Sequence, residues 1–293
     1  MKQRMAKLKV MIERFAIMYE KWEKIHGKLV GIDRQRYRKN KMSLGEMLLV
    51  AICFHYSEFR VFKYYYIYGI CDKYRECFMY VLSYNRFIEL KSRLLLPLSL
   101  LLCAVFGEKT GIYFADSTKI AVCHNKRTNG HKVFKEYAKI GKSSYGWFYG
   151  FKLHIVMNQK GQIVAVKITQ ANIDDRDGLF DIIQDLKGVI YADKGYLGQE
   201  FFSALFCIGI ILVTYIRKNM KNILMKVEDK LFLRRRTSII ESAFNIMKNN
   251  MHLEHTRHRS VQNFTVNIMA CLVAYNLKLK SPKTLANIRF IPC

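Results

Sequence analysis

Three acids far apart in the chain are the residues best suited to chemistry. Asp116 lies in "YFADST", Asp193 in "YADKGY" and Glu241 in "TSIIESAFNIMKNN". Carboxylates suit a hard divalent cation, Mg²⁺ or Mn²⁺, which keeps several waters and takes further oxygens from a phosphate. Two such ions, roughly 3.5–4 Å apart, activate the attacking oxygen and stabilise the leaving one during in-line attack on phosphorus. Asp116, Asp193 and Glu241 are therefore the expected metal ligands and catalytic residues, with two ions expected. Each acid alone also has a plain reading. Asp116-Ser117 could cap or turn, Asp193-Lys194-Gly195 could end a strand, and Glu241 could be a solvent-facing helix acid. Their matching positions in one series of elements favour the shared site.

That series begins at Gly111, where the texture turns β-like. "GIYFADSTKIAV", "GWFYGFKLHIVM" and "GQIVAVKIT" read as strands, the last two joined by a tight turn at "NQKG". "NIDDRDGLFDIIQDLKG" places acids before an apolar-periodic stretch, as at a helix start. "GVIYAD" and "IGIILVTYI" are two more strands, with "GQEFFSALFC" as a helix between them and a long helix from about Arg235. The order β-β-β-α-β-α-β-α predicts an α/β fold with a mixed five-stranded sheet and helices on both faces. Functional groups in such sheets gather at strand ends, near the switch in chain direction. On the last helix, Ile240, Phe244, Met247 and Met251 would face the core. Glu241, Asn245 and Lys248 form an adjacent polar stripe, which would carry Glu241 over the strand aspartates.

The first hundred residues read as all-α. Met5, Leu8, Ile12, Phe15, Tyr19 and Trp22 recur at helical steps. Ser43 and Glu46 have capping-box spacing before an apolar run, and "VLSYNRFIELKSRLLL" is a further helix. The expected division is an all-α DNA-binding or assembly region over 1–108 and a catalytic domain over 109–293. The eight scattered cysteines contain no C-x-x-C pair and read as reduced, buried thiols. No secretory signal is read at the N-terminus, and "LLLPLSLLLCAVF" is too short to span a bilayer. A soluble intracellular protein is expected, with no membrane partner.

A formal net charge of +26 over 293 residues opposes compaction and points to a polyanionic partner, nucleic acid first. Between the first two strands, "HNKRTNGHKVFKEYAKIGKSSYGW" sets Lys126, Arg127, Lys132, Lys135 and Lys142 among aromatics, as a DNA-contacting insertion would. Arg217 and Lys218, then Arg235 and Arg236, flank the last helix and would track phosphates. Arg257 and Arg259 belong to "HLEHTRHRS", a basic DNA-facing turn in which His252, His255 and His258 recur without the support a zinc site has. Lys194 cannot act as a base while protonated and is expected to contact phosphate or balance the acids. Lys248 is a candidate DNA clamp. The tyrosines of "KYYYIYGI" read as packing or interface.

At this point the residues resemble a family. The element order is similar to the ribonuclease-H-like fold, and the acids resemble the Asp-Asp-Glu triad of bacterial insertion-sequence transposases, in particular the insertion-sequence 982 family. "DSTKIAVCHNKR", "YGWFYGFKLHIVMNQKGQIV", "ADKGYLG", "RKNMK", "RRRTSIIESAFNIMKNN", "SYNRFIEL" and "EHTRHRSVQNF" carry the resemblance over nearly the whole chain. It departs at Asp174, where a histidine is usual, and in "DST" after the first acid. The resemblance implies cleavage of double-stranded DNA at the element's terminal inverted repeats and joining of the 3′-hydroxyl to target DNA. It also implies a homodimer or higher synaptic complex, and a bacterial cytoplasmic, nucleoid-associated protein with no small-molecule substrate. The rival classes are a non-catalytic DNA-binding protein and a structure-specific nuclease of the same fold.

Overall fold

Alternating apolar residues from Ile112 onward build a mixed six-stranded sheet in the computed structural model, which describes residues 1–27, 40–144, 146–216, 224–254 and 258–280. The strands are β1 (Ile112–Cys123), β2 (Lys139–Ser143), β3 (Gly146–Asn158), β4 (Ile163–Gln170), β5 (Gly188–Ala192) and β6 (Ile210–Thr214). They lie in the order β2-β3-β1-β5-β6, with β4 also on β3. β1, β2 and β4 each pair antiparallel with β3, whereas β1–β5 and β5–β6 are parallel. Flanked by helices and accompanied by an all-helical N-terminal region, the sheet is compatible with a ribonuclease-H-like fold.

The sheet has one strand more than the sequence suggests. β2 lies inside the basic insertion, pairs with the start of β3, and has Gly141 as its one buried residue. A short lysine-bearing strand suits a sheet edge, where charge discourages pairing with other chains. It therefore carries little of the apolar alternation by which strands are recognised.

Side-chain alternation gives the sheet two faces. Tyr113, Ala115, Val156 and Ile190 join Leu179 of α6 (Asp175–Phe180) and Leu205 of α7 (Gln199–Cys207) in one buried cluster. On the other face Tyr191 is 6.2 Å from the ring of Phe114 and stacks at 5.1 Å on Phe232 of α8 (Val227–Asn245). The Tyr191 hydroxyl donates to Asp229 Oδ1 at 2.9 Å. α8 thus covers the face to which the even-numbered residues at the start of β1 point. Ile240, Ala243 and Met247 are buried along α8 and its π-helical continuation Ile246–Asn250, while Phe244 is only half-buried. Gly188 opens β5 at φ +118°, and a Cβ there would come within 2.1 Å of the Gly111 carbonyl oxygen. Only glycine lets β5 leave its turn so close to β1.

The helical elements are α1 (Lys2–His26), α2 (Leu44–Phe54), α3 (Phe62–Tyr64) running into a π-helical stretch (Tyr65–Lys73), α4 (Tyr84–Lys91), α5 (Leu95–Ala104) and α9 (Val261–Leu279). The capping box forms as its spacing predicts. Ser43 Oγ accepts from the Glu46 amide at 3.1 Å, and Glu46 Oε2 accepts from the Ser43 amide at 3.0 Å. α9 packs on α2 and α5. The chain accordingly divides into two compact units, Met1–Val105 with Asn249–Leu253 and His258–Cys293, and Phe106–Lys248 with Glu254–Arg257. Tyr65 and Tyr66 of "KYYYIYGI" are fully buried, whereas Tyr64 and Tyr68 are exposed. Of the cysteines, Cys53 and Cys271 are buried as expected, but Cys71, Cys103 and Cys207 are exposed. Among the described residues no helix is long and apolar enough to cross a membrane.

Candidate active site

The parallel rows Ile112↔Val189, Tyr113↔Ile190 and Phe114↔Tyr191 stop two residues short of Asp116 and Asp193. Carried forward, the same register sets these acids side by side on strands spaced about 4.8 Å apart. Both then share the face of Phe114 and Tyr191, the one under α8. β5 ends at Ala192 while β1 continues to Cys123 beside β3, so the acids lie where parallel pairing gives out. Each carboxylate is oriented by the next backbone amide. Asp116 Oδ1 accepts from Ser117 N at 2.8 Å and Asp193 Oδ1 from Lys194 N at 2.7 Å.

Beyond that the two acids differ. Asp193 is exposed. Asp116 is partly buried, and its Oδ2 lies 2.8 Å from Nη2 of Arg236. Arg236 is 7% exposed, and its Nε and Nη2 also reach the Ala115 carbonyl oxygen at 3.3 and 3.2 Å. Burial raises the Asp116 carboxyl to about 6. The Arg236 charge and the Ser117 amide oppose the rise, and the negative charges of Asp193 and Asp175 add to it.

Asp175, in the first turn of α6, closes the other side of β1. Its Oδ1 accepts from Ser117 Oγ at 2.8 Å and lies 3.1 Å from Lys152 Nζ, which also donates to the Ile173 carbonyl at 2.8 Å. His154, opposite Ser117 in the β1–β3 ladder, sits 4.0 Å from the same oxygen through Nδ1. Its Nε2 is 2.8 Å from Thr169 Oγ1. Burial lowers its pKa to about 4 despite the Asp175 charge, so the ring is neutral near pH 7. A Cβ on Gly178 would come within 2.4 Å of that ring, so the close approach of α6 to β3 depends on this glycine.

Glu241 is exposed on α8, between Arg236 and Lys248. Lys248 Nζ donates to the Lys119 carbonyl of β1 at 3.0 Å and pairs with Glu254 at 2.7 Å. The helical segment bearing Glu241 is therefore tied to β1 on both sides of it. Among the described residues Glu241 makes no hydrogen bond or ion pair, and no three His, Cys, Asp or Glu side chains are disposed to hold a metal ion. The register brings Asp116 and Asp193 together, whereas Glu241 is set on the helix above their face.

The basic residues fall into distinct settings. Lys126, Arg127, Lys132 and Lys135 are exposed after β1, and Lys142 on β2 is exposed with its Nζ 5.8 Å from the centroid of the exposed Trp147. Lys194 is exposed, with its Nζ 5.9 Å from the Tyr215 ring centroid, and Arg235 and Arg259 are also exposed. Arg236, expected to track phosphates, is turned inward onto Asp116. Lys248, expected as a clamp, is engaged with Lys119 and Glu254. Arg217, Lys218, His255 and Arg257 lie outside the described residues. His252 has φ 55° and its Nε2 lies 3.1 Å from the Ser57 carbonyl, a packing role within the helical unit.

Sequence reasoning missed Asp175 and the inward use of Arg236. Asp175 sits in "ANIDDRD", where several acids fit a helix start, and only pairing across strands distinguishes it. Arg236 is one of three consecutive arginines, and its signal is helical phase with Leu233 and Ile240. A family model described as Transposase DDE domain matches residues 106–261. No curated protein and no solved structure matches the chain.

Proposed function

This chain belongs to the transposase DDE-domain family, and we propose that it is an insertion-sequence transposase of the 982 type. In this reading it cleaves double-stranded DNA at the terminal inverted repeats of its element and joins the freed 3′-hydroxyl to target DNA. Asp116, Asp193 and Glu241 would hold Mg²⁺ or Mn²⁺, two ions in all. The observation that carries the reading is the shared row of Asp116 and Asp193 where β5 ends, on the face covered by α8, the helix that bears Glu241.

The donor set fits a hard cation: carboxylate oxygens, the two aspartates each oriented by an amide and Asp116 already paired with a positive group, with Glu241 exposed on α8. When bound, a divalent ion would polarise phosphate oxygens and ease deprotonation of the attacking hydroxyl. The chain's own groups do the rest. Ser117 and Lys194 amides fix the carboxylates, and Asp175 holds Ser117 from behind. Lys194, exposed beside Asp193, is available to a phosphate. Lys126, Arg127, Lys132, Lys135 and Lys142 would bind the DNA backbone, so that affinity falls steeply as salt rises.

The region 1–108 is assigned to end binding and assembly and 109–293 to catalysis, within a homodimer or larger synapse. The test is metal-dependent cleavage of a terminal-repeat duplex by wild type, Asp193→Asn and Glu241→Gln. Both variants should fail to cut while still binding the duplex. Undiminished cutting by either removes the triad assignment. Binding that is equal in EDTA and never accompanied by nicking would mark a non-catalytic DNA-binding protein. Cutting without joining would mark a nuclease.

A further inference from the structure

We propose that Arg236 is a resident cation for Asp116, one that holds the carboxylate in place without metal and from which a divalent ion must take Oδ2. The inference rests on the assignment of Asp116 as a metal ligand and goes beyond it. Arg236 meets two acceptors on one strand: Nη2 lies 2.8 Å from Asp116 Oδ2, and Nε and Nη2 lie 3.3 and 3.2 Å from the Ala115 carbonyl oxygen. A guanidinium is a rigid planar fork, so this grip fixes its orientation as well as its charge.

Because the Ala115 contact does not involve the carboxylate, the guanidinium can stay on the strand when Oδ2 is given up. Exchange then needs no movement of α8. Asp193 has no cation within ion-pair distance among the described residues, so the two acids of the row are treated unequally. The metal-free pair carries one uncompensated charge instead of two. That limits repulsion across the row and makes any arriving ion compete for its first oxygen. Arg236 acts through Asp116 and is a positioning residue, not a catalytic one.

The experiment is Mn²⁺ binding to the full-length, DNA-free protein, followed by the electron-spin resonance of free Mn²⁺ and by thermal unfolding with EDTA or saturating Mn²⁺. Arg236→Gln keeps a hydrogen-bonding amide and removes the charge. It should bind Mn²⁺ tighter by about tenfold, because a unit charge beside the ion is gone. It should also melt below wild type in EDTA and gain more from Mn²⁺ than wild type does. Equal or weaker Mn²⁺ binding by Arg236→Gln would overturn the inference. Asp116→Asn separates the two claims. If it abolishes Mn²⁺ binding while Arg236→Gln leaves affinity unchanged, the ligand assignment stands and the resident-cation role falls. If Asp116→Asn binds Mn²⁺ like wild type, the ligand assignment itself falls. Should Arg236→Gln not fold, Arg236→Lys decides, since one ammonium cannot span both acceptors. A rise of a few-fold in affinity is then expected, and no rise would reject the role.

Discussion

The helical unit and the sheet unit bury ionisable groups in different ways. In the helical unit they are buried one at a time. Lys91 is 3% exposed with its Nζ 4.2 Å from the Phe62 ring centroid, and burial lowers it to about 8. His55 has Nδ1 2.5 Å from the Met251 carbonyl, and burial lowers it to about 3. Glu46 accepts from the Ser43 and Met79 amides at 3.0 and 3.1 Å. Lys91 rests on a ring, and Glu46 and the Nδ1 of His55 on backbone, while His55 Nε2 has no hydrogen-bond partner among the described residues. Around β1, by contrast, Asp116, Arg236, Asp175 and Lys152 are set against one another through pairs of unlike charge. Burial drives Lys91, His55 and Asp116 alike toward their neutral forms, but at Asp116 the neighbouring Arg236 charge opposes that drive. The lesson is about grouping rather than depth. His154 shows the boundary, since it lies within the grouped set yet is neutralised by burial.

Removing one charge from each unit should have unequal effects on stability. Arg236→Met should cost about 3 kcal/mol in metal-free denaturant unfolding, because it strips a partly buried carboxylate of its cation. Lys91→Met, similar in length and buried beside Phe62, should be neutral or gain about 1 kcal/mol. Equal losses in the two variants would erase the distinction.

The next effect in size is pH dependence. For His154 and His55 the folded pKa lies below the unfolded value of 6.5. The unfolded chain therefore takes up protons first. Their stability is fully present above pH 6.5 and is lost as pH falls toward about 4 and about 3, with the larger loss at His55. Asp116 has the opposite sign. Its folded pKa of about 6 exceeds the unfolded 3.8, so its contribution is present below pH 3.8 and lost as pH rises through 6. Midpoints of denaturant unfolding should thus decline on acidification from pH 7. His154→Gln should flatten that decline, and an unaltered profile would reject the burial argument.

Gly178→Ala should cost about 2 kcal/mol by overpacking against the His154 ring, measurable as a lowered unfolding midpoint. A variant as stable as wild type would show that α6 can shift to make room. The smallest effect on folding belongs to the exposed insertion. Lys126→Ala and Arg127→Ala should leave unfolding unchanged, yet each should reduce the salt slope of DNA binding by about 1. A salt slope equal to wild type would remove those two residues from the DNA contact.

Local spacing made part of this legible. Ser43 and Glu46 stand three apart before an apolar run, and their capping box forms for reasons confined to one helical turn. The strand bearing Asp116 and the one bearing Asp193 alternate clearly enough to be placed, and the crossover logic of a parallel pair brings their ends together. β2 was not legible, because an edge strand with lysines shows no apolar period. The inward turn of Arg236 was hidden among three arginines, since the partner that chooses between them is on a distant strand. Phe244 was expected in the core, but the buried line on α8 passes through Ala243, a small residue that suits close approach to a sheet. Asp175 was masked by its own surroundings, in which any acid explains a helix start.

The register of β1 against β5 has one more consequence. Three matched rows of backbone, not the long connection between the strands, fix the spacing of Asp116 and Asp193. The basic insertion after β1 could lengthen or change its sequence with this pair of acids undisturbed. Deleting a single residue between Phe114 and Asp116 would do the reverse, swinging the acid to the opposite side of the sheet while every lysine of the insertion stayed where it was.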